Sequence, residues 1–105
     1  MATNRLDILK QMVSQDPNNS FARYGLAMEL ANNGELERGV AEFRTLVEHD
    51  ENYAPAYYHF GQALEKLGEV EQARAVYEKG IEVTTRKGDV HARGEIEAAL
   101  NLLPV

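Results

Sequence analysis

Imidazole is the side chain best suited to proton transfer and metal binding near neutral pH, so the three histidines come first. His49, His59 and His91 are 10 and 32 residues apart. Neither interval is the i, i+4 spacing that sets two imidazoles on one helix face as a ligand pair, and the expectation is surface or half-buried histidines. There are no cysteines, which excludes a disulfide framework, a thiolate metal site and a thiol nucleophile. No Gly-x-Ser-x-Gly occurs, nor a glycine-rich loop leading into Lys-Ser/Thr, so neither a nucleophile elbow nor a phosphate cradle is encoded. Of the 17 Asp and Glu residues, Glu35, Glu37, Glu69, Glu71 and Asp89 fall at expected helix starts, where a carboxylate complements the helix dipole. Most of the others read as a solvated surface. The expectation is a protein with no catalytic centre, metal or cofactor. The competing enzyme reading is a small hydrolase or metal-dependent enzyme using His59 or His91 with nearby acids.

Composition narrows the partners. A net charge of −6 opposes a nucleic-acid surface, where phosphates require clustered Lys and Arg. No apolar run approaches the roughly 20 residues of a membrane span. The opening MATNRLDILKQMV carries Arg5, Asp7 and Lys10 and lacks the apolar stretch of a signal peptide. The expectation is a soluble, cytoplasmic protein with neither nucleic acid nor membrane as partner. With 44% hydrophobic and 27% charged residues over 105 positions, the chain reads as one globular domain.

The elements that must carry any site are helices, since no segment alternates as a strand. The first is expected from Thr3 or Asn4 to Gln15, with Leu6, Leu9 and Val13 on one face. Pro17 bars the α conformation at Asp16, and Asn19 or Ser20 begins a second helix that stops at Asn33-Gly34. A third spans Glu35 to His49. The fourth starts near Ala54 with Pro55 in its first turn, where a missing N–H costs nothing, and ends at Gly68. A fifth runs from Glu69 to about Thr84. Asp89 caps a sixth, which carries Ile96, Ala99, Leu100 and Leu103 as its stripe and closes before Pro104. Six helices with short connections predict an all-α fold of antiparallel neighbours.

Two of the breaks are copies. Gly34 and Gly68 stand 34 residues apart, each followed by Glu, an aliphatic residue and Glu. Within 54–87, Tyr57, Phe60, Gly61 and Leu64, then Ala73 and Tyr77, resemble the signature of the tetratricopeptide repeat family, whose 34-residue unit pairs two helices. Leu26, Ala27, Leu30, Gly39 and Phe43 repeat the pattern more loosely over 20–53, with Arg23 in the family's Trp place and Glu51 and Thr85 where it has proline. Gly80 is expected to loosen the second helix of its unit. The resemblance implies a short α-solenoid: an N-terminal half-repeat helix (1–19), two units (20–53 and 54–87), and a C-terminal capping helix (88–105) resembling a lone first helix. The physical basis is that small residues at Ala27, Gly39, Gly61 and Ala73 let helix backbones approach, while Leu30, Phe43, Leu64 and Tyr77 fill the space between.

The resemblance also implies where a partner binds. With Leu26, Ala27 and Leu30 against the paired helix, Phe21, Tyr24, Met28 and Asn32 fall on the other side. The same offsets in the next unit give Pro55, Tyr58, Gln62 and Lys66. In the family this face lines a concave groove for peptides or partner helices, and these eight residues inherit that expectation. One subtype clamps C-terminal carboxylates, but the corresponding places here hold Tyr24, Met28, His59, Asp89 and Arg93, of which only Arg93 fits. Arg86, Lys87 and Arg93 form either a small basic spot for an acidic segment or a complement to helix dipoles. The alternative to partner binding is a structural homodimer through the repeat ends, with Ile8, Met12 and Leu102 as contacts.

Overall fold

The computed structural model describes residues 4–105; a helix start at Thr3 lies outside the described residues. Those residues form six helices and no strand: α1 Arg5–Gln15, α2 Ser20–Asn32, α3 Leu36–His49, α4 Pro55–Lys66, α5 Val70–Lys87 and α6 Val90–Asn101. Asn4, Asn19 and Asp89 begin α1, α2 and α6, each side chain accepting the N–H three residues on at 2.8, 3.0 and 3.1 Å, which satisfies a donor the helix leaves unpaired. Pro55 occupies the first turn of α4.

Gly34 and Gly68, at φ 84° and 80°, close α2 and α4. In each case the next residue's N–H returns to a carbonyl five residues back, Glu35 to Leu30 and Glu69 to Leu64, both at 2.9 Å. This left-handed closure reverses the chain without a side-chain penalty. The repeated octet is therefore the turn between the two helices of each pair.

Within a pair the backbones come close enough to exclude side chains. A Cβ on Gly39 would stand 3.1 Å from the Ala27 carbonyl oxygen, and one on Gly61 only 2.1 Å from the Tyr77 ring. Tyr77 is fully buried, with Phe60 and Leu64 buried beside it. Between pairs, Phe43 and Phe60 stack with centroids 5.9 Å apart. A smaller apolar cluster of Leu9, Leu26 and Leu30 fixes α1 on α2, with Leu6 and Val13 partly buried against it.

Gly80 does not loosen α5. It is buried, and a Cβ there would lie 2.7 Å from Tyr57 Cβ and 3.0 Å from Ile96, so it is another site of close approach. Arg23, in the place of a buried ring, is anchored instead: its guanidinium donates to Glu42 at 2.6 Å and to the Pro17 carbonyl at 3.0 Å. The charge thereby ties α3 and the α1–α2 loop to α2.

The C-terminal end departs from the expectation. α5 continues past Thr84 to Lys87. Its last turn is held by Arg86, donating to Asn52 Oδ1 at 2.6 Å, and by Lys87, donating to the Asn52 carbonyl at 3.0 Å. The chain then reverses at Gly88, φ 71°, with Asp89 N–H returning to Thr84 O at 2.9 Å. That is the tight turn used inside a pair, whereas α3 and α4 are joined through Asp50–Ala54. As a result α6 does not bury what a first helix buries. The residues 34 places after Tyr57, Phe60 and Gly61 are His91, Gly94 and Glu95, all exposed, while Ile96, Ala99 and Leu103 are buried. α6 packs on α5 and on α4, and Arg74 fastens its end by donating to the Pro104 carbonyl at 2.5 Å.

The glycines predict opposite outcomes. Gly61→Ala forces the Tyr77 ring from its place and should lower the free energy of unfolding by about 2 kcal/mol. Gly94 is helical with nothing within 4 Å of an added Cβ, so Gly94→Ala should raise it by about 0.5–1 kcal/mol. Urea unfolding followed by circular dichroism measures both.

Candidate functional site

A continuous face runs across α2 and α4 and is bounded by α1 and α6. It is divided into clefts by the side chains that rise between them. The first, about 370 Å³ between α1 and α2, is lined by Phe21, Tyr24, Met28 and Asn32 together with Leu9 and Met12. The second, about 260 Å³, lies among Tyr24, Pro55, Tyr58 and His59, with Asp89 and Glu95 from the α6 side. A narrow one of about 40 Å³ is bordered by Met28, Asn32, Gln62 and Lys66. The fourth, about 410 Å³, has Tyr58, Gln62 and Glu65 on one wall and Glu95 and Leu102 on the other. All eight residues expected on the inner face line one or more of these clefts.

Their environments differ. Phe21 is 74% exposed at the mouth of the first cleft. Tyr24 is half-buried, its ring 6.4 Å from Phe43, 5.6 Å from Tyr53 and 6.0 Å from His59, so it is outer core as well as surface. Burial, and to a smaller extent Tyr53, pushes its hydroxyl above the ordinary phenol range. Tyr58 meets His59 edge to face at 5.2 Å. Gln62 is fixed by donating to the Tyr77 hydroxyl at 2.6 Å and to Glu65 at 3.1 Å, while that hydroxyl itself donates to Glu65.

His59 was not among the expected contacts, and it forms part of the floor of two clefts. Burial lowers its pKa below 6.5, opposed by the weaker pull of Glu95, so the ring is neutral at pH 7. Asp89, 34 places after Pro55, joins the face at the start of α6, and Glu95 and Leu102 join it because α6 folds beside α4, which the repeat pattern does not encode. Exposure of Ile8, Met12 and Leu102 is 46%, 39% and 84%. The three cations read as either a basic spot or a dipole complement are engaged: Arg86 and Lys87 with Asn52, Arg93 with Glu97 at 3.5 Å. The dipole and packing account therefore fits them better than an acid-binding role. His91 lies 3.9 Å from Glu95 on an exposed surface. Among the described residues no group of three His, Asp or Glu is placed to hold a metal ion, and no helix is long and apolar enough to cross a membrane.

Paired antiparallel helices stacked with a fixed repeat define a helical-repeat scaffold, and comparison with known proteins specifies which. A tetratricopeptide repeat profile matches residues 54–85. A tetratricopeptide repeat domain protein from Salinibacter ruber is 36% identical, over 81% of this chain and 86% of its own, and its solution structure superposes with a TM-score of 0.76. A TPR repeat-containing protein of Pseudomonas aeruginosa is 27% identical over 90% of both chains. The structure of YrrB, described as a TPR protein with an unusual peptide-binding site, is similar at 26% identity and a TM-score of 0.81, over 92% of this chain and 47% of its own. The chain belongs to the tetratricopeptide repeat family.

The His59 environment has a pH consequence. Its folded pKa is depressed, so the unfolded chain takes up the proton first. The stability His59 contributes is complete above the ordinary value of 6.5 and is lost as pH falls through it toward the lower folded value. The urea midpoint should drop between about pH 7.5 and 5.5, and His59→Gln should flatten that drop. An NMR titration of the His59 ring should show its midpoint below 6.5.

Proposed function

We propose that this protein is a non-catalytic, cytoplasmic interaction module whose face of α2 and α4 binds a peptide or a helix of another protein. The observation that carries the reading is the convergence of Phe21, Tyr24, Met28, Asn32, Pro55, Tyr58, Gln62 and Lys66 on one chain of open clefts. Tyrosines at the centre of such a face are strong candidates for binding energy, because a rigid ring with a polar tip loses little entropy on contact. YrrB, a similar TPR protein described as having an unusual peptide-binding site, supports the class of ligand. Affinity selection of a random dodecapeptide library on the immobilised protein tests it. Selected peptides should bind Tyr58→Ala about tenfold or more weakly while its circular dichroism is unchanged. Peptides that bind the variant as well as the wild type place the site elsewhere.

A second reading rests on the exposed apolar ends. Ile8 is 46% exposed on α1, Met12 lines the first cleft, and Leu102 lines the last and is 84% exposed. A homodimer through one of these ends would bury them. Sedimentation across a concentration series should then show twice the monomer mass, reduced to the monomer by Ile8→Glu or Leu102→Glu. Monomer mass throughout counts against it.

A further inference from the structure

The two clefts against α6 share Tyr58 and Glu95 and carry an uneven charge. Asp89 and Glu95 line one, Glu65 and Glu95 the other, and neither has a lysine or arginine among its described lining residues. Asp89 is partly committed, its Oδ1 accepting the Ala92 N–H at 3.1 Å. Glu65 is held by Tyr77 and Gln62. Among the described residues Glu95 is the carboxylate left available: its one ion-pair neighbour there is the exposed imidazole of His91, at 3.9 Å. Arg93, on the same helix, is paired with Glu97 at 3.5 Å. Apolar surface adjoins the acids at Pro55, Ala98, Ala99 and Leu102, and His59 on the floor adds no positive charge at neutral pH.

We infer that the segment bound on this face carries a lysine or arginine beside apolar side chains. Its cation seats between the Tyr58 ring and the Glu95 carboxylate, and its apolar part lies along Ala98, Ala99 and Leu102. The inference rests on the proposed face being the binding site, and it specifies the chemistry that face reads. A cation over an aromatic face next to a carboxylate gains from both, and low-dielectric walls strengthen the attraction. An acidic segment meets uncompensated carboxylates in the same clefts and is rejected. The charge that marks the partner is thus opposite to that of a carboxylate-terminated tail.

The random dodecapeptide library tests this directly. Selected sequences should be enriched in Lys or Arg next to aliphatic or aromatic residues. The best of them, synthesised with a fluorophore and followed by anisotropy, should bind Glu95→Gln about two- to fivefold more weakly and Glu95→Lys about tenfold or more weakly, with further loss in high salt. Glu78→Gln, an equal charge change at an exposed site on α5, should leave affinity unchanged. Selection of acidic or uncharged peptides that still lose binding in Tyr58→Ala overturns the charge assignment and leaves the face intact. Equal weakening by Glu78→Gln and Glu95→Gln also overturns it, because the attraction would then be to net charge alone. Selected peptides indifferent to both Tyr58→Ala and Glu95→Lys, or no enrichment at all, overturn the assignment and the face together.

Discussion

The structure depends on one steric constraint: within each helix pair, one helix must offer no side chain where the other brings its backbone or a large ring. Gly61 opposite the Tyr77 ring is the sharpest case, since a single added carbon would sit 2.1 Å from it. Gly39 against the Ala27 carbonyl is the same arrangement with the helices exchanged. The intrinsic helical cost of a mid-helix glycine is about 1 kcal/mol, offset here by the contacts the close approach permits. Tyr77 fills the space this creates and projects its hydroxyl past the core, where Gln62 and Glu65 hold it. A packing choice inside the α4–α5 pair thereby also sets the position of two residues on the outward face of α4.

Joining the pairs is the second requirement, and the ends show how it is met. Phe43 stacked on Phe60 connects one pair to the next. At the N-terminal side α1 covers Leu26 and Leu30 but leaves an apolar cleft beside Phe21 and Met12. At the C-terminal side the extra turn of α5 changes the geometry, because Arg86 and Lys87 reach Asn52 instead of entering a loop. With α5 longer and the reversal at Gly88 tight, α6 is drawn along α5 and buries Ile96 beneath Gly80 and Tyr57. At that end α6 takes a register that no longer follows the repeat.

This difference explains what the sequence made legible. The paired helices, the two glycine turns and the eight inner-face residues could all be read because a period of 34 transfers each position of one unit to the next. Arg23 could not, since nothing in the order of residues indicates that Glu42 and the Pro17 carbonyl would receive its guanidinium. Gly80 was misread because glycine in a helix has the same local signature whether it loosens the helix or admits a neighbour, and only the Tyr57 and Ile96 contacts distinguish the two. His59 lies outside the transferred offsets, and Glu95 enters the face through a helix that the period does not govern. The repeat thus encodes the tyrosines of the face and is silent about His59 and Glu95.

That division has a physical meaning for recognition. Tyr24 and His59 touch each other and the core ring Phe43 lies against Tyr24, so the aromatic part of the face is the outer layer of the core and is positioned before any partner arrives. A preorganised ring surface binds with little ordering cost, but rings alone discriminate poorly among apolar segments. Of the carboxylates, Glu65 on α4 is held by Tyr77 and Gln62, whereas Asp89 and Glu95 at α6 are exposed and less constrained by packing. Changes there alter the field over Tyr58 without disturbing the stack beneath it. If the face binds as proposed, one fold and one aromatic platform are kept while the choice of partner is set by a few surface charges at α6.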